Sequence, residues 1–194
     1  MKILKTPDIK PIKSIDLQVR EARPSDIPYI ASVHKKSFFE SHTVFLSPQT
    51  LKKINIKMAV TRWKKRMTCG KFLIYVAVFK KEIIGVIDYK ISGKSRDTIE
   101  TLHLYIKPKY QRQKVGTILL TKTVIDIYHL GYRSVFGWVL KDNPKSRAFY
   151  ESLGGMPSTI KTKRILSENV ELVKYSLTLT KTLIMALHNK KVVP

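Results

Sequence analysis

At 194 residues the chain holds one ordinary domain with a real core and has no room for two comfortable ones. Its 43% hydrophobic and 9% aromatic content excludes a disordered chain, and no apolar run approaches the ~20 residues of a membrane span. The formal net charge of +23 attracts polyanions, whereas the single cysteine, Cys69, excludes an internal disulfide and argues against a metal site.

The basic N-terminus MKILKTPDIKPIK lacks the apolar core and cleavage site of a secretory signal, so a cytoplasmic protein without membrane attachment is expected. Residues 1–15 read as an N-terminal arm, residues 16–180 as a single domain and residues 181–194 as a basic C-terminal tail. Asp16 to Ala22 alternates as a first strand, and Pro24-Ser25-Asp26 opens a helix with Ile27, Ile30, His34 and Phe38 on one face. Ser41 to Pro48 reads as a loop, with Ser47-Pro48 able to start a short helical turn. Asn55 is placed to cap a helix carrying Ile56, Val60, Trp63 and Met67, which makes Trp63 a core or groove residue. No acidic residue occurs from Ser41 to Lys81. Two apolar strands, Lys71 to Phe79 and Glu82 to Ile91, form a hairpin about Lys80-Lys81, with Gly85 marking a bulge or a close backbone approach.

Thr98 to Lys107 is the next strand, stopped by Pro108. A polar turn follows, and from Val115 the residues Ile118, Leu119 and Ile125 recur at helical spacing. A strand entering a helix through a compact turn is suited to phosphate, because the first helical N–H groups lack partners and the helix dipole favours an anion. Arg133 to Leu140 is a further strand after Gly131. Asn143 then caps a helix with Pro144 at its first position, stopped by Gly154 or Gly155. Asn143 and Tyr150, seven residues apart, share a face, with Ser146 and Arg147 beside them. Pro157 to Ile165 and Asn169 to Leu179 form a closing strand pair, and the tail is helical around Thr182 to His188.

Three stretches carry a family resemblance. The turn Gln111-Arg112-Gln113-Lys114-Val115-Gly116-Thr117 resembles the Q/R-x-x-G-x-G/A signature of the GNAT superfamily of N-acetyltransferases, with Lys114 standing where the first glycine would be. The segment from Asn143 to Gly155 resembles the family's N-P-x-x-x-x-x-F-Y-E-x-L-G-G/F motif, and VREARPSDIPYIASVHKKSF is similar to the start of many members. The resemblance implies an α/β fold: a mixed, mostly antiparallel central sheet of about seven strands, flanked by about four helices. The sheet would splay between the strands ending near Ile106 and Leu140 to admit acetyl-CoA, the donor substrate. Backbone groups of Leu104, Tyr105 and Ile106 would pair with the pantetheine arm. The amides from Arg112 to Thr117 (Gln113, Lys114, Val115 and Gly116 between them) would hold the pyrophosphate, beginning at Gln111. Asn143, Ser146, Arg147 and Tyr150 would complete the cofactor site. If Lys114 keeps right-handed geometry its backbone still donates and its ammonium reaches a phosphate; if not, cofactor affinity falls. Gly116 retains the tighter contact.

The implied reaction is direct attack of a primary amine on the thioester in a ternary complex, without a metal. The acceptor is a small-molecule amine, an amino acid or a protein amine. Glu100, eleven residues before Gln111, matches the offset of the glutamate base in histone-acetylating members, with His103 as the substitute. Tyr150 would face the sulfur and protonate the departing thiolate, or else only hydrogen-bond it. The charge keeps two partners in view, an anionic acceptor and a nucleic-acid-associated protein acting as acceptor. Lysine-rich coding bias is the plain alternative. A competing expectation is a basic nucleic-acid- or ribosome-associated module that keeps the fold without catalysis. Either a monomer or a homodimer is compatible with the sequence.

Overall fold

The computed structural model describes residues 16–42, 47–49, 55–91, 97–165 and 168–189. Seven strands form one sheet: β1 (Leu17–Glu21), β2 (Phe72–Phe79), β3 (Glu82–Lys90), β4 (Thr98–Ile106), β5 (Ser134–Leu140), β6 (Met156–Ile165) and β7 (Glu168–Thr178). Their order is β1-β2-β3-β4-β5-β7-β6, and every neighbouring pair is antiparallel except β4 and β5. Five α-helices are present among the described residues: α1 (Ile27–His42), α2 (Ile56–Thr68), α3 (Val115–His129), α4 (Pro144–Glu151) and α5 (Lys181–Asn189). None is long and apolar enough to cross a membrane.

The helices cover the sheet on two faces, each with its own apolar cluster. On one face Leu119, Val124 and Ile127 of α3 pack on Tyr75, Ile87, Tyr89 and Ile99, with Leu183 and Leu187 of α5 against them. On the other, Ile30, Ala31 and Val33 of α1 meet Ala59 and Trp63 of α2 over Ile74, Val76 and Val86. Trp63 is fully buried, as its place in the helical stripe anticipates. Asn55 caps α2 by accepting from the Met58 N–H at 2.9 Å.

One boundary differs from the sequence reading: helix α1 runs through His42, two residues into the expected loop. The helix expected around Thr182 to His188 is α5, and it packs against the core. Leu179 and Ile184 are the buried anchors that draw this segment in. The expected N-terminal arm and most of the stretch from residue 43 to 54 lie outside the described residues.

The β2–β3 hairpin closes through Lys80 and Lys81, with Phe79 opposite Glu82. Both lysines take positive φ, 47° and 65°. A two-residue hairpin turn of this geometry favours Asn-Gly, and a non-glycine residue in the left-handed region costs about 1–2 kcal/mol. Part of that is returned because glycine enlarges the unfolded ensemble. The double variant Lys80→Asn, Lys81→Gly should therefore gain about 1 kcal/mol and raise Tm by about 2–4 °C, measured by thermal denaturation. Gly85 sits beside an irregularity in the same hairpin, and a Cβ there would lie 2.7 Å from Cδ1 of Ile106.

The single parallel junction is short. β4 and β5 pair from Thr98 with Ser134 to Thr101 with Gly137, and no further. At the last pair a Cβ on Gly137 would fall 2.7 Å from Cγ2 of Thr101, so only glycine lets the strands meet there. Beyond it Leu102 to Ile106 and Trp138 to Leu140 diverge, leaving an edge inside the sheet.

Candidate active site

A cleft of about 420 Å³ opens where β4 and β5 part. Leu102 to Tyr105 form one wall and Trp138 to Leu140 the other; Asn143, Ser146 and Tyr150 of α4 also face it. The remaining wall comes from His34 and Phe38 of α1, Met58, Ala59 and Arg62 of α2, and Lys161, Lys163, Arg164 and Ile165 of β6. Of the residues singled out from sequence, Glu100, His103, Leu104, Tyr105, Asn143, Ser146 and Tyr150 line this one cleft.

Tyr150 is carried by a helix fixed at both ends. The Asn143 side-chain oxygen accepts from the Ser146 N–H at 3.0 Å, leaving the amide NH₂ as the donor that Asn143 can offer the cleft. At the other end Gly154 takes φ +83°, and Gly155 passes so close under α4 that a Cβ would lie 2.8 Å from the Tyr150 carbonyl oxygen. The Tyr150 ring stacks on Tyr175 at 6.1 Å, and the Tyr175 hydroxyl donates to Glu151 at 2.5 Å. Among the described residues the Tyr150 hydroxyl has no hydrogen-bond partner. Burial pushes its pKa up to about 12, so it remains protonated at every physiological pH. Arg147, expected beside it, instead donates from Nε to the Tyr175 hydroxyl at 3.2 Å and is not brought to the cleft.

The phosphate-type turn lies apart from this wall, at the far end of β4. Gln111 and Gln113 serve the turn itself: Gln111 Nε2 donates to the Ile106 carbonyl at 3.2 Å and to Glu40 at 2.8 Å, and Gln113 Nε2 to the Lys109 carbonyl at 2.8 Å. The Ile106 carbonyl also accepts from Ser37 Oγ at 2.7 Å, so that end of β4 is pinned by side chains. The 3₁₀ turn Pro108–Tyr110 is held by Glu82, which accepts from Lys107 at 2.8 Å, Tyr110 at 2.7 Å and Lys109 at 3.2 Å. Burial alone would raise the Glu82 carboxyl, but those three donors outweigh it and hold the pKa down at about 2.

Of the two geometries open to it, Lys114 takes the left-handed one. It caps α3 at φ 62° and ψ 3°, and Arg112 is also left-handed at φ 61°. The entry into α3 requires the conformation glycine adopts freely, and lysine adopts it with strain of about 1–2 kcal/mol. The amides of Val115, Gly116 and Thr117 open α3, where position denies them intrahelical acceptors. Gly116 makes no tight contact within the protein: a Cβ would stand 3.5 Å from the Phe149 ring, an ordinary packing distance.

His34, Arg62 and Lys161 line the cleft without having been singled out as site residues from sequence, and His103 joins them there. His34 stacks on Tyr105 at 4.8 Å and accepts from Trp63 Nε1 at 3.1 Å through Nδ1, which places its ring proton on Nε2. His103, the substitute base, is tied through Nδ1 to the fully buried Asp88 at 2.8 Å, and Arg66 pairs with the same carboxylate. The register of β3 and β4 slips between Asp88–His103 and Tyr89–Thr101, so Leu102 is an extra residue at the point where the cleft begins. The Lys161 ammonium sits 3.5 Å from the Trp138 ring centroid. Burial lowers its pKa, Glu100 pulls the other way, and neighbouring Lys163 adds to the lowering, so these three groups share one field. Lys161 and Lys163 alternate along β6, a strand signal readable in the sequence once the facing cleft is known.

Three comparisons bear on this geometry. The model of the acetyltransferase (GNAT) family matches residues 38–155. An uncharacterized N-acetyltransferase, YuaI of Bacillus subtilis strain 168, is 29% identical over 157 residues, covering 79% of this chain and 84% of that protein. The crystal structure of PaiA N-acetyltransferase from Thermoplasma acidophilum in complex with coenzyme A superposes with a TM-score of 0.63 at 20% identity, over 81% of this chain and 97% of that one. YncA from Salmonella typhimurium, solved with acetyl-CoA, gives a TM-score of 0.64 at 16% identity, over 86% and 95% of the two chains. The match spans more than half of the chain and includes the phosphate-type turn and the Asn143–Tyr150 helix, so this protein belongs to the GNAT family and is an acetyl-CoA-dependent N-acetyltransferase.

Proposed function

We propose that the chain transfers the acetyl group to a primary amine by direct attack, with the donor's pantetheine arm lying along Leu104 and Tyr105 in the gap between β4 and β5. The observation that carries this reading is the broken junction: pairing stops at Thr101 and Gly137, and the exposed strand edge can take a peptide-like arm as an added strand. The α3 amides from Val115 to Thr117, with Arg112 and Lys114 beside them, would receive the pyrophosphate. The amine nitrogen forms the new C–N bond as the C–S bond breaks. One proton leaves nitrogen for Glu100, and the departing thiolate accepts a hydrogen bond from Tyr150.

Direct attack predicts intersecting initial-velocity lines and no acetyl group on the protein after incubation with acetyl-CoA alone, read by intact mass. Parallel lines with an acetylated protein would replace this scheme by a two-step one. Gly116 gives a separate check on the donor side. Because an added methyl fits within the protein, Gly116→Ala should fold with an unchanged Tm. If glycine is there for close approach of phosphate, acetyl-CoA affinity should fall by about tenfold, roughly one charged hydrogen bond. Undiminished affinity would place the pyrophosphate elsewhere.

A further inference from the structure

The acceptor end of the cleft carries an unbalanced charge. Arg62, Lys161, Lys163 and Arg164 line it, and Glu100 is the only carboxylate among the described lining residues. None of the four cations forms an ion pair among the described residues. Elsewhere among the described residues five cations do pair, Lys107 and Lys109 with Glu82, Lys141 with Glu171, Arg20 with Asp26 and Arg66 with Asp88; what sets the cleft apart is that its four cations converge on one space. The cleft cations come from two elements on opposite sides, α2 and β6, so their fields converge on the space between them. Arg62 reaches inward electrostatically, acting on the buried Tyr105 hydroxyl, whose pKa is pushed well up by burial first and Asp88 second, with Arg62 opposing.

A field of this sign sorts amines in two ways. It repels polycations, which would enter beside four like charges with one carboxylate to meet them. It also favours an acceptor whose own anionic groups can reach the Arg and Lys side chains, the arginines in two-point contacts. The α-amine of a peptide suits such a site further, since its ordinary pKa near 7.7 leaves less to deprotonation at neutral pH than a lysine-type amine does, and cationic neighbours reduce that cost for any amine. Resting on the transferase reading above, we propose that the acceptor is the α-amine of an acidic residue, with its carboxylates held by Arg62, Lys163 and Arg164. A free acidic amino acid and the N-terminus of an acidic peptide share this chemistry.

The test is thiol release from acetyl-CoA with matched acceptors: free glutamate, free glutamine, spermidine, and short peptides beginning Glu-Glu, Gln-Gln or Lys-Lys. Each is measured with the wild type and with the double variant Lys163→Glu, Arg164→Glu, whose substitutions lie on exposed positions of an edge strand. Thermal stabilisation by acetyl-CoA is recorded for both proteins. The expected result is kcat/KM at least about tenfold higher for an acidic acceptor than for its amide counterpart, with the order lost or inverted in the double variant while the acetyl-CoA shift persists. The free-glutamate and Glu-Glu arms decide which source of that chemistry the site takes. Faster reaction with the amide, lysine or spermidine acceptors overturns the proposal, as does selectivity that charge reversal leaves unmoved. Silence with every amine while acetyl-CoA still stabilises the wild type also overturns it. Absence of any acetyl-CoA stabilisation would instead sink the transferase reading on which it rests.

Discussion

Replacing Tyr150 by phenylalanine should lower kcat by about 10- to 100-fold while leaving acetyl-CoA binding unchanged, the loss of a hydrogen bond to charge being worth roughly 1.5–3 kcal/mol. The hydroxyl faces the cleft without a partner among the described residues, so its removal orphans no neighbouring group. The ring packing on Phe149 and Tyr175 is kept by phenylalanine, which protects the fold. With the pKa near 12, complete proton transfer to a thiolate of ordinary pKa near 8.5 is uphill by about 5 kcal/mol. In the proposed scheme Tyr150 would therefore act as a hydrogen-bond donor to the leaving sulfur, and it should contribute no inflection to the pH–rate profile between about pH 6 and 10. Steady-state kinetics with acetyl-CoA titration measure both halves. Full turnover in the phenylalanine variant would remove the hydroxyl from the mechanism.

Asp88→Ala should destabilise the protein by about 3–5 kcal/mol, the usual consequence of stripping one partner from a buried charge pair. Asp88 is completely buried on β3, and it receives both Arg66 from α2 and His103 from β4. Its loss leaves a guanidinium packed over Trp63 and Phe72 with no counter-charge. For a chain of this size Tm should fall by roughly 10 °C. The second change Arg66→Met should recover much of that loss, because an apolar replacement of the whole pair removes the uncompensated charge. A double-mutant cycle in urea or by calorimetry resolves the two contributions. A drop below 1 kcal/mol in Asp88→Ala would show that the pair contributes little to stability.

The contrast between these two residues shows what could be read from the sequence. Tyr150 was legible because its helix is written locally: Asn143 caps, Pro144 starts, Gly154 stops, and seven residues set the face. The β2–β3 hairpin, the strand ending at Ile106 and the closing pair β6–β7 were legible for the same reason, each being periodicity bounded by turn residues. Asp88 carries no such local mark. It is one polar residue in an apolar strand, and its partners lie 22 and 15 positions away on other elements. The acceptor wall was hidden likewise, since Arg62 and the β6 lysines meet only after β5, β7 and β6 are laid side by side. Lys114 is a different kind of departure. Its left-handed geometry follows the demands of the α3 entry and overrides the preference of the side chain placed there.

The short β4–β5 seam has a consequence for how long the protein survives. Four residue pairs at one end join a half-sheet of β1 to β4 with another of β5, β7 and β6. A ligand lying in the opening is then a staple between the halves, absent from any unfolded chain. At a hundredfold excess over its Kd such a ligand adds about 2.7 kcal/mol to unfolding. Resistance to proteolysis would thus rise and fall with the supply of acetyl-CoA, making the abundance of this enzyme a slow record of the donor pool it consumes.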